Sequence, residues 1–232
     1  MNIISKTINN LSEYYPIDKP CLYITSDKET ADGLRKMGEA VCIEISCEDD
    51  LSLFEGYNYF ITSDESYSGH LNKIYCHIKG IPFTVAETSR FIIREEKLSD
   101  LDEIYKLYDN EEAKRFLEPL PPRDSFDAKE RLETVLSGYM LYDFGMWVIE
   151  SLETGEIIGR AGFEYKSEDE VTIGFLVSSK ERKKGIAYEA CLCILNYLSE
   201  VRPDLKVTAV VSKDNLPSVS LLTKLNINFE TT

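Results

Sequence analysis

The chain has 232 residues, which is long enough to bury a sizeable core in one large domain or two small ones. Its hydrophobic fraction of 43% and charged fraction of 29% are those of a globular protein. No apolar run approaches the roughly 18 residues that a membrane-spanning helix needs, and residues 1–10 lack the pattern of a signal peptide. We therefore expect a cytoplasmic protein that has no contact with a membrane.

The charge is acidic throughout, with a formal net value of −15. Residues 1–89 carry 7 Lys and Arg against 14 Asp and Glu, and the remainder carries 19 against 27. Neither part has the basic character of a nucleic-acid-binding surface, so we expect no nucleic acid partner. An acidic surface favours a cationic acceptor such as an amine, although solubility alone explains it equally well.

The cysteines do not have the spacing of a zinc site or of a disulfide framework. They form no C-x-x-C pair, and only two histidines accompany them, so we expect no metal. We interpret them as thiols in or near the core of a protein from a reducing compartment. The six are Cys21, Cys42, Cys47, Cys76, Cys191 and Cys193.

Strand and helix patterns alternate in the first part of the chain. The predicted strands are residues 21–25, 40–46, 57–63 and 81–87, and the predicted helices are residues 28–38 and 68–80. Such alternation implies right-handed crossovers and a parallel sheet. We place a joint at residues 88–90, so that residues 1–89 form a small Rossmann-like α/β unit.

The sequence Ile-Thr-Ser-Asp occurs twice in this unit, at residues 24–27 and 61–64, each time between a strand and a helix. One interpretation is structural: Ser26 or Asp27, and Ser63 or Asp64, cap the helices that follow. The other is functional, because polar corners at the carboxyl ends of strands line ligand pockets in open α/β sheets. No Gly-x-Gly-x-x-Gly motif accompanies them, which disfavours a dinucleotide site.

The pattern changes after residue 90. We predict a strand at residues 91–95 and helices at 98–108 and 111–116, then a segment with three prolines and a helix that Ser125 or Asp127 begins. Strands at residues 146–151 and 156–165 flank a hairpin turn with Gly155 at the position that needs positive φ. A strand at 171–177, a long helix and a strand at 206–212 follow.

A short basic turn separates the strand at 171–177 from the long helix. Its sequence is Arg-x-x-Gly-x-Ala, and it consists of Arg182, Lys183, Lys184, Gly185, Ile186 and Ala187. A glycine lets the backbone approach a phosphate closely, and the first N–H groups of the helix are unsatisfied. The turn therefore predicts an anion site. The alternative is a basic surface turn in which Gly185 only starts a helix.

This strand, turn and helix resemble the central motif of the GNAT family of acyl-CoA-dependent N-acetyltransferases. A second segment resembles the family pattern Asn-x-x-Ser-x-x-Leu-Leu-x-Lys-Leu-Gly-Phe, and its matching residues are Asn215, Ser218, Leu221, Leu222, Lys224 and Leu225. The resemblance covers about residues 91–229 and includes the branch that acetylates ribosomal-protein N-termini. It implies a GNAT domain over residues 90–232, with an α+β sheet and flanking helices, and hence an α/β chain.

The resemblance also implies an activity: transfer of an acetyl group from acetyl-CoA, as co-substrate, to a primary amine of a small molecule or a protein N-terminus. The backbone of Phe175, Leu176 and Val177 would bond the pantetheine amides and polarise the thioester. Residues 182–187 would hold the diphosphate, and Asn215 and Ser218 would bond the pantetheine arm. Residues 111–142 would form the wall of the acceptor site.

Two positions of this chain depart from the family's catalytic pattern. Thr172 stands where many relatives have Glu, which leaves Glu170 on the same strand face, and Glu164 on the preceding strand, as candidate proton acceptors. Leu222 stands where many relatives have the tyrosine that protonates the thiolate. Asn226 replaces a glycine, but Asn tolerates the left-handed backbone required there.

Relatives usually continue through another strand beyond the position of Phe229. We therefore expect this sheet edge to be covered by the N-terminal unit or by a second subunit of a homodimer, or to be open. A non-catalytic acyl-CoA sensor is the alternative function, and the N-terminal unit is a candidate platform for a protein partner.

Overall fold

The structure is a computed structural model that describes residues 3–46, 48–62, 70–123 and 125–232. The chain divides into two compact units, Met1–Phe83 and Thr84–Thr232. A four-stranded parallel sheet forms in the first unit and a seven-stranded mixed sheet in the second. The predicted fold class, an α/β chain with a parallel unit followed by a GNAT-type sheet, is confirmed.

The first unit has four described strands that lie in the sheet in the order of the chain. They are β1 (Ile4–Thr7), β2 (Cys21–Thr25), β3 (Ala40–Ile45) and β4 (Phe60–Thr62). The helices are α1 (Lys28–Lys36) and α2 (His70–Ile78), with short 3₁₀ helices at Leu11–Glu13 and Glu48–Phe54. All three strand pairings are parallel.

Both faces of this sheet are covered. The connections between consecutive strands all advance across the sheet in the same direction. Because such connections are right-handed, they all lie on one face of the sheet. Ala31 and Leu34 of α1 pack there, whereas Tyr75 and Cys76 of α2 pack on the opposite face. All five residues of β2 are buried as a result, and this explains its continuous apolar run.

One strand prediction for this unit is wrong. The strand predicted within residues 81–87 forms as β5 (Thr84–Glu87), but it pairs antiparallel with β6 (Phe91–Arg94) in the seven-stranded sheet. The division into compact units falls between Phe83 and Thr84, and the joint that we predict from sequence lies a few residues later, at residues 88–90. The fourth parallel strand is β1, whose mostly exposed edge position required no apolar pattern in the sequence.

The first Ile-Thr-Ser-Asp segment, residues 24–27, caps a helix. Asp27 accepts a hydrogen bond from the Thr30 N–H at 2.8 Å and is the N-cap of α1. Ser63 and Asp64 of the second corner lie outside the described residues. The order of the described strands does not reverse, so they have no switch point of the kind at which open α/β sheets bind ligands.

The second unit begins with β5 and β6 and ends with a β-α-β arrangement. Its helices are α3 (Leu101–Tyr108), α4 (Glu111–Phe116), α5 (Phe126–Leu141), α6 (Ile186–Val201) and α7 (Leu216–Lys224). The remaining strands are β7 (Met146–Ser151), β8 (Ile157–Ser167), β9 (Glu170–Val177), β10 (Lys206–Val211) and β11 (Asn228–Thr231). The sheet order is β11-β10-β9-β8-β7-β6-β5.

Strands β5 to β9 are antiparallel, and β9, β10 and β11 are parallel. On one face α6 packs on a core that contains Trp147 and Phe163, whose rings meet edge to face at 6.1 Å. Helices α3 and α4 cover the other face around Val148 and Leu176. Burial raises the pKa of the Cys191 thiol in α6 to about 12, so this side chain acts as a core residue.

Strand β11 is the edge strand of this sheet and pairs with β10 alone among the described strands. The hairpin turn between β7 and β8 has Gly155 at φ +70°, as predicted. In the part of the chain that the structure describes, no helix combines the length and apolar character needed to cross a bilayer.

Candidate functional site

The pairing between β9 and β10 ends partway along both strands. Among the described residues, the parallel ladder runs only from Glu170 with Lys206 to Thr172 with Thr208. Beyond this point β9 remains paired with β8, and β10 remains paired with β11. The two strands therefore separate after Thr172 and leave a V-shaped gap in the sheet, and the backbone of β9 forms one wall of this gap.

Alternation along β9 determines which backbone groups face the gap. Ser178 donates its N–H to the Ile158 carbonyl on the β8 side at 2.8 Å, so Leu176, two residues earlier, also directs its backbone groups toward β8. Phe175 and Val177 then direct their N–H and C=O groups into the gap. Of the three positions predicted to bond pantetheine, these two have the required orientation, and the backbone of Leu176 belongs to the ladder with β8.

The turn after β9 forms a concave row of backbone donors. Lys183 has φ +59° and Gly185 has φ +80°, both in the left-handed region. Left-handed residues in such a turn bring neighbouring N–H groups to one concave side. Gly185 is the N-cap of α6 without a side-chain bond, and the N–H groups of Ile186, Ala187 and Tyr188 have no acceptor among the described residues.

The space beside Gly185 is open. A Cβ built at this position would have one neighbour within 4 Å, the Arg90 Nη2 at 4.0 Å. Packing therefore does not require a glycine here, but the positive φ favours one, and a side chain would enter the open space beside the turn. The residues present fit a diphosphate group, which needs close backbone approach and free helix N–H groups.

The predicted cations of the turn differ in their surroundings. Arg182 lies nearest the strand, with its Nε 3.5 Å from the Val177 carbonyl. Lys184 places its Nζ 3.0 Å from the Glu181 carboxylate, which neutralises part of its charge. Lys183 is exposed. The structure thus places the three predicted cations in the turn at consecutive positions immediately before Gly185.

Arg90 is a further residue of this site that the sequence patterns did not indicate. Its Nη1 donates to the Lys184 carbonyl at 2.8 Å, and its Nη2 contacts the Glu189 carboxylate in the first turn of α6. No local motif identifies an arginine that lies 94 residues away from its partner in the sequence. Only the packing of the sheet brings it to the turn.

The second family segment lies at the start of α7. The Asn215 Oδ1 accepts a hydrogen bond from the Ser218 N–H at 3.3 Å, so Asn215 is the N-cap of this helix. Its Nδ2 has no partner among the described residues. Leu222 is 1% exposed and packs in the core with α6. Asn226 has φ +56°, which confirms the predicted left-handed backbone.

The two candidate proton acceptors lie on one face of the sheet near the vertex of the gap. The Glu170 carboxylate accepts hydrogen bonds from Thr208 Oγ1 at 2.6 Å and from Lys166 Nζ at 2.9 Å. These bonds, that from Thr208 first, lower the pKa of Glu170 below its ordinary value. Glu164 is exposed on β8, directly opposite Thr172.

A cleft of about 420 Å³ opens between α3, α4 and the proline segment. Its lining is mainly apolar and aromatic, and includes Tyr105, Tyr108, Ala113, Leu117, Pro119 and Leu120. The Tyr105 hydroxyl donates to the Pro121 carbonyl at 2.6 Å and so holds the proline segment against α3. Ion pairs of Asp102 with Arg123 and of Asp109 with Lys114 lie at the rim. This is the region predicted to form the acceptor wall.

A buried charged cluster lies beside the cleft. Arg160 of β8 donates to the Tyr108 hydroxyl at 3.0 Å and pairs with Glu96, and both charged side chains are almost completely buried. Arg131 of α5 approaches the same carboxylate at 3.7 Å. The Glu96 Oε2 and the Arg160 Nε have no hydrogen-bond partner among the described residues. Sequence reasoning missed this cluster, because its members come from four separate elements.

Residues 90–228, more than half of the chain, match the family described as acetyltransferase (GNAT) domain. The chain belongs to the GNAT acetyltransferase family. A relative of this GNAT domain is the uncharacterized N-acetyltransferase YoaA of Bacillus subtilis (strain 168). It is 27% identical over 151 residues, which cover 64% of this chain and 85% of the relative. The family match begins at Arg90 and includes the gap, the turn and α7.

Solved structures have the same fold as this GNAT domain. Ribosomal-protein-S5-alanine acetyltransferase from Vibrio fischeri has a TM-score of 0.51 at 19% identity, covering 62% of this chain and 81% of that one. RimL, titled a ribosomal L7/L12 alpha-N-protein acetyltransferase in complex with coenzyme A, has a TM-score of 0.52 at 13% identity. The matched region covers 61% of this chain and 82% of the RimL chain. At these identities the likeness shows the fold alone.

Proposed function

We propose that the chain is an N-acetyltransferase that transfers an acetyl group from acetyl-CoA to a primary amine. The observation that carries the proposal is the combination of the strand gap and the concave turn at Gly185, which lie at consecutive positions along β9 and α6. Acetyl-CoA supplies an acyl group that is activated as a thioester. A neighbouring structure of the same fold contains coenzyme A, which supports this choice of co-substrate.

In this proposal each part of the site has one task. The N–H groups of Phe175 and Val177 bind the pantetheine arm and orient the thioester, and residues 182–187 bind the diphosphate through backbone N–H groups and positive charge. Asn215 offers its free Nδ2 to the arm, with Ser218 beside it. Glu170 or Glu164 takes the proton from an ammonium acceptor through water.

The acceptor class that we propose is a primary amine of a small molecule or of a protein N-terminus. The cleft supports it, because its mainly apolar lining suits an uncharged side group of such an acceptor. Two solved structures of this fold have titles that name ribosomal proteins as acceptors, which favours the ribosomal-protein N-terminal branch.

The N-terminal unit and the sheet edge also belong to the proposal. We assign the first unit to binding of a protein partner, since its described strands have no switch point for a small ligand. A homodimer in which the partner covers β11 suits the outer edge of that strand, which pairs with no other described strand. The proposed location is the cytoplasm, where buried free thiols such as Cys42 and Cys191 persist.

The test is a titration of the full chain with coenzyme A, followed by thiol release from acetyl-CoA over a panel of amines that includes peptides with free N-termini. Gly185→Glu should abolish binding in the calorimeter, because a carboxylate in the open space beside the turn would repel a bound diphosphate, and glutamate is strained at the positive φ of this position. Gly38→Glu is the matched control, since Gly38 has φ +82°, has no neighbour within 4 Å of a built Cβ, and lies in the other unit.

Thiol release with any amine supports the enzyme. Binding of coenzyme A without release over the whole panel would favour the acyl-CoA sensor instead. Equal coenzyme A affinity of Gly185→Glu and Gly38→Glu would refute the assignment of the turn.

A further inference from the structure

The side chain of Arg90 spans the turn and the helix that begins after it. Its Nη1 donates to the Lys184 carbonyl at 2.8 Å, on one side of Gly185, and its Nη2 contacts the Glu189 carboxylate on the other side. Nη2 is also the atom that lies 4.0 Å from a Cβ built at Gly185. The guanidinium therefore borders the open space beside Gly185 and contacts a residue before it, Lys184, and a residue after it, Glu189.

The backbone of Arg90 is itself held in place. Its N–H donates to the Thr88 Oγ1 at 3.1 Å, and its carbonyl accepts from the Leu152 N–H at 3.0 Å. Helix α6 packs on the neighbouring strand β5. The arginine thus lies in the short turn between β5 and β6, where these two hydrogen bonds hold its backbone in place.

The bond to Lys184 determines the direction of a backbone donor. In a trans peptide the carbonyl of one residue and the N–H of the next point in opposite directions. Because Arg90 holds the Lys184 carbonyl, the direction of the Gly185 N–H is fixed as well, opposite to the bond with the guanidinium. Without this bond the peptide between Lys184 and Gly185 has no other hydrogen-bonded group among the described residues to fix it.

The contact with Glu189 changes the charge of the anion site. Glu189 places a carboxylate in the first turn of α6, where it repels a bound anion. Its pairing with Arg90 cancels that charge. The two side chains are 40% and 33% exposed, and exposed pairs of this kind contribute little to the stability of a fold. The pair therefore affects the local charge more than it affects the stability of the fold.

We propose that Arg90 is a positioning residue for the diphosphate of the co-substrate, acting by orienting the Gly185 N–H and by neutralising Glu189. The inference rests on the proposed function and extends it to a residue outside the turn. Arg90 needs both ends of its planar guanidinium for these two contacts, so lysine, with a single ammonium, can replace the charge but not the bridge.

The test compares three ligands on the full chain. Coenzyme A and ADP contain a diphosphate and are titrated by calorimetry, whereas pantetheine lacks one and is followed by NMR shifts of β9. Arg90→Gln should lower the affinity for coenzyme A and for ADP about tenfold or more, and should leave the affinity for pantetheine unchanged. The affinity of Arg90→Lys for coenzyme A and ADP should lie between that of Arg90→Gln and that of the unaltered chain. Arg202→Gln, which breaks the exposed Arg202–Asp204 pair beyond the far end of α6, is the matched control and should change none of the three.

The outcomes separate this inference from the proposed function. If the unaltered chain binds no coenzyme A, the proposed function fails and the inference fails with it. If the unaltered chain binds coenzyme A and Arg90→Gln binds it equally well, only the inference is overturned. Equal weakening of all three ligands overturns it too, because a general structural defect would explain that result. If Arg90→Gln does not fold, Arg90→Lys decides by the same criterion, and an unchanged affinity for all three ligands overturns the inference.

Discussion

Glu170 is held by two neighbours at the vertex of the gap, and both favour its ionised form. The hydrogen bond from Thr208 is the larger cause of its lowered pKa, followed by that from Lys166. A carboxylate whose folded-state pKa is lowered stabilises the fold above its ordinary pKa, and this contribution is lost as the pH falls through the folded-state value. The same ionised form is the one that accepts a proton in the proposed reaction.

Thr208→Val should raise the pKa of Glu170 toward its ordinary value, because it removes the larger cause and keeps the side-chain shape. Carboxyl NMR titration measures this shift directly. If Glu170 is the proton acceptor, the acid limb of the kcat/KM profile should move to higher pH in the same variant.

Thr223→Val is the control, since the Thr223 hydroxyl donates to the Val219 carbonyl at 2.9 Å within its own helix. An unchanged pKa of Glu170 in Thr208→Val would contradict the assigned network. A raised pKa with an unmoved acid limb would instead favour Glu164 as the acceptor.

At the scale of the elements, buried charges connect parts of the second unit that are distant in sequence. Glu96 follows β6, Arg160 belongs to β8, Tyr108 ends α3 and Arg131 lies in α5. The Glu96 N–H also donates to the hydroxyl of Tyr139, which lies in α5 as well. This cluster joins the sheet to the helices that line the cleft, so its loss should affect both.

Glu96→Gln should destabilise the second unit by about 3–5 kcal/mol, because it leaves the buried Arg160 without a compensating charge. The free energy of unfolding in urea measures the effect. Asp204→Asn breaks the exposed pair with Arg202 and should cost less than about 1 kcal/mol. Similar values for the two variants would mean that the buried pair is hydrated or dispensable.

At the scale of the molecule, every residue assigned to the co-substrate lies in the second compact unit. The gap, the turn, Arg90 and α7 all fall within Thr84–Thr232. The family match begins later, at residue 90, and does not include β5. Strand β5 nevertheless belongs to the second sheet, where it covers the edge of β6 and contacts α6.

A fragment of residues 84–232 should therefore bind coenzyme A with the affinity of the full chain. A fragment of residues 90–232 should bind more weakly and unfold at lower urea concentration, because it exposes the β6 edge and removes a support of α6. Calorimetry and urea unfolding of both fragments check this. Equal behaviour of the two fragments would contradict the role of β5. Loss of binding in the longer fragment would assign part of the site to the N-terminal unit.

Local determinants of this protein could be predicted from its sequence. Most of the strands and helices follow hydrophobic periodicity, and the cap at Asp27 depends on one side chain and the backbone close to it. The left-handed positions at Gly185 and Asn226 depend on the residue itself. The basic turn between a buried strand and a helix was sufficient to predict the region of the anion site.

Contacts between distant segments were decided only by the tertiary structure. Periodicity assigned β5 to a strand but to the wrong sheet, since pairing partners are not encoded within a strand. Arg90 reaches the turn, and Glu96 reaches Arg160, through packing that brings together residues far apart in the chain. The separation of β9 and β10 likewise depends on the tertiary structure, because β9 stays paired with β8 and β10 stays paired with β11. The sequence by itself therefore determined which segments form the site, and the three-dimensional packing determined which groups face one another within it.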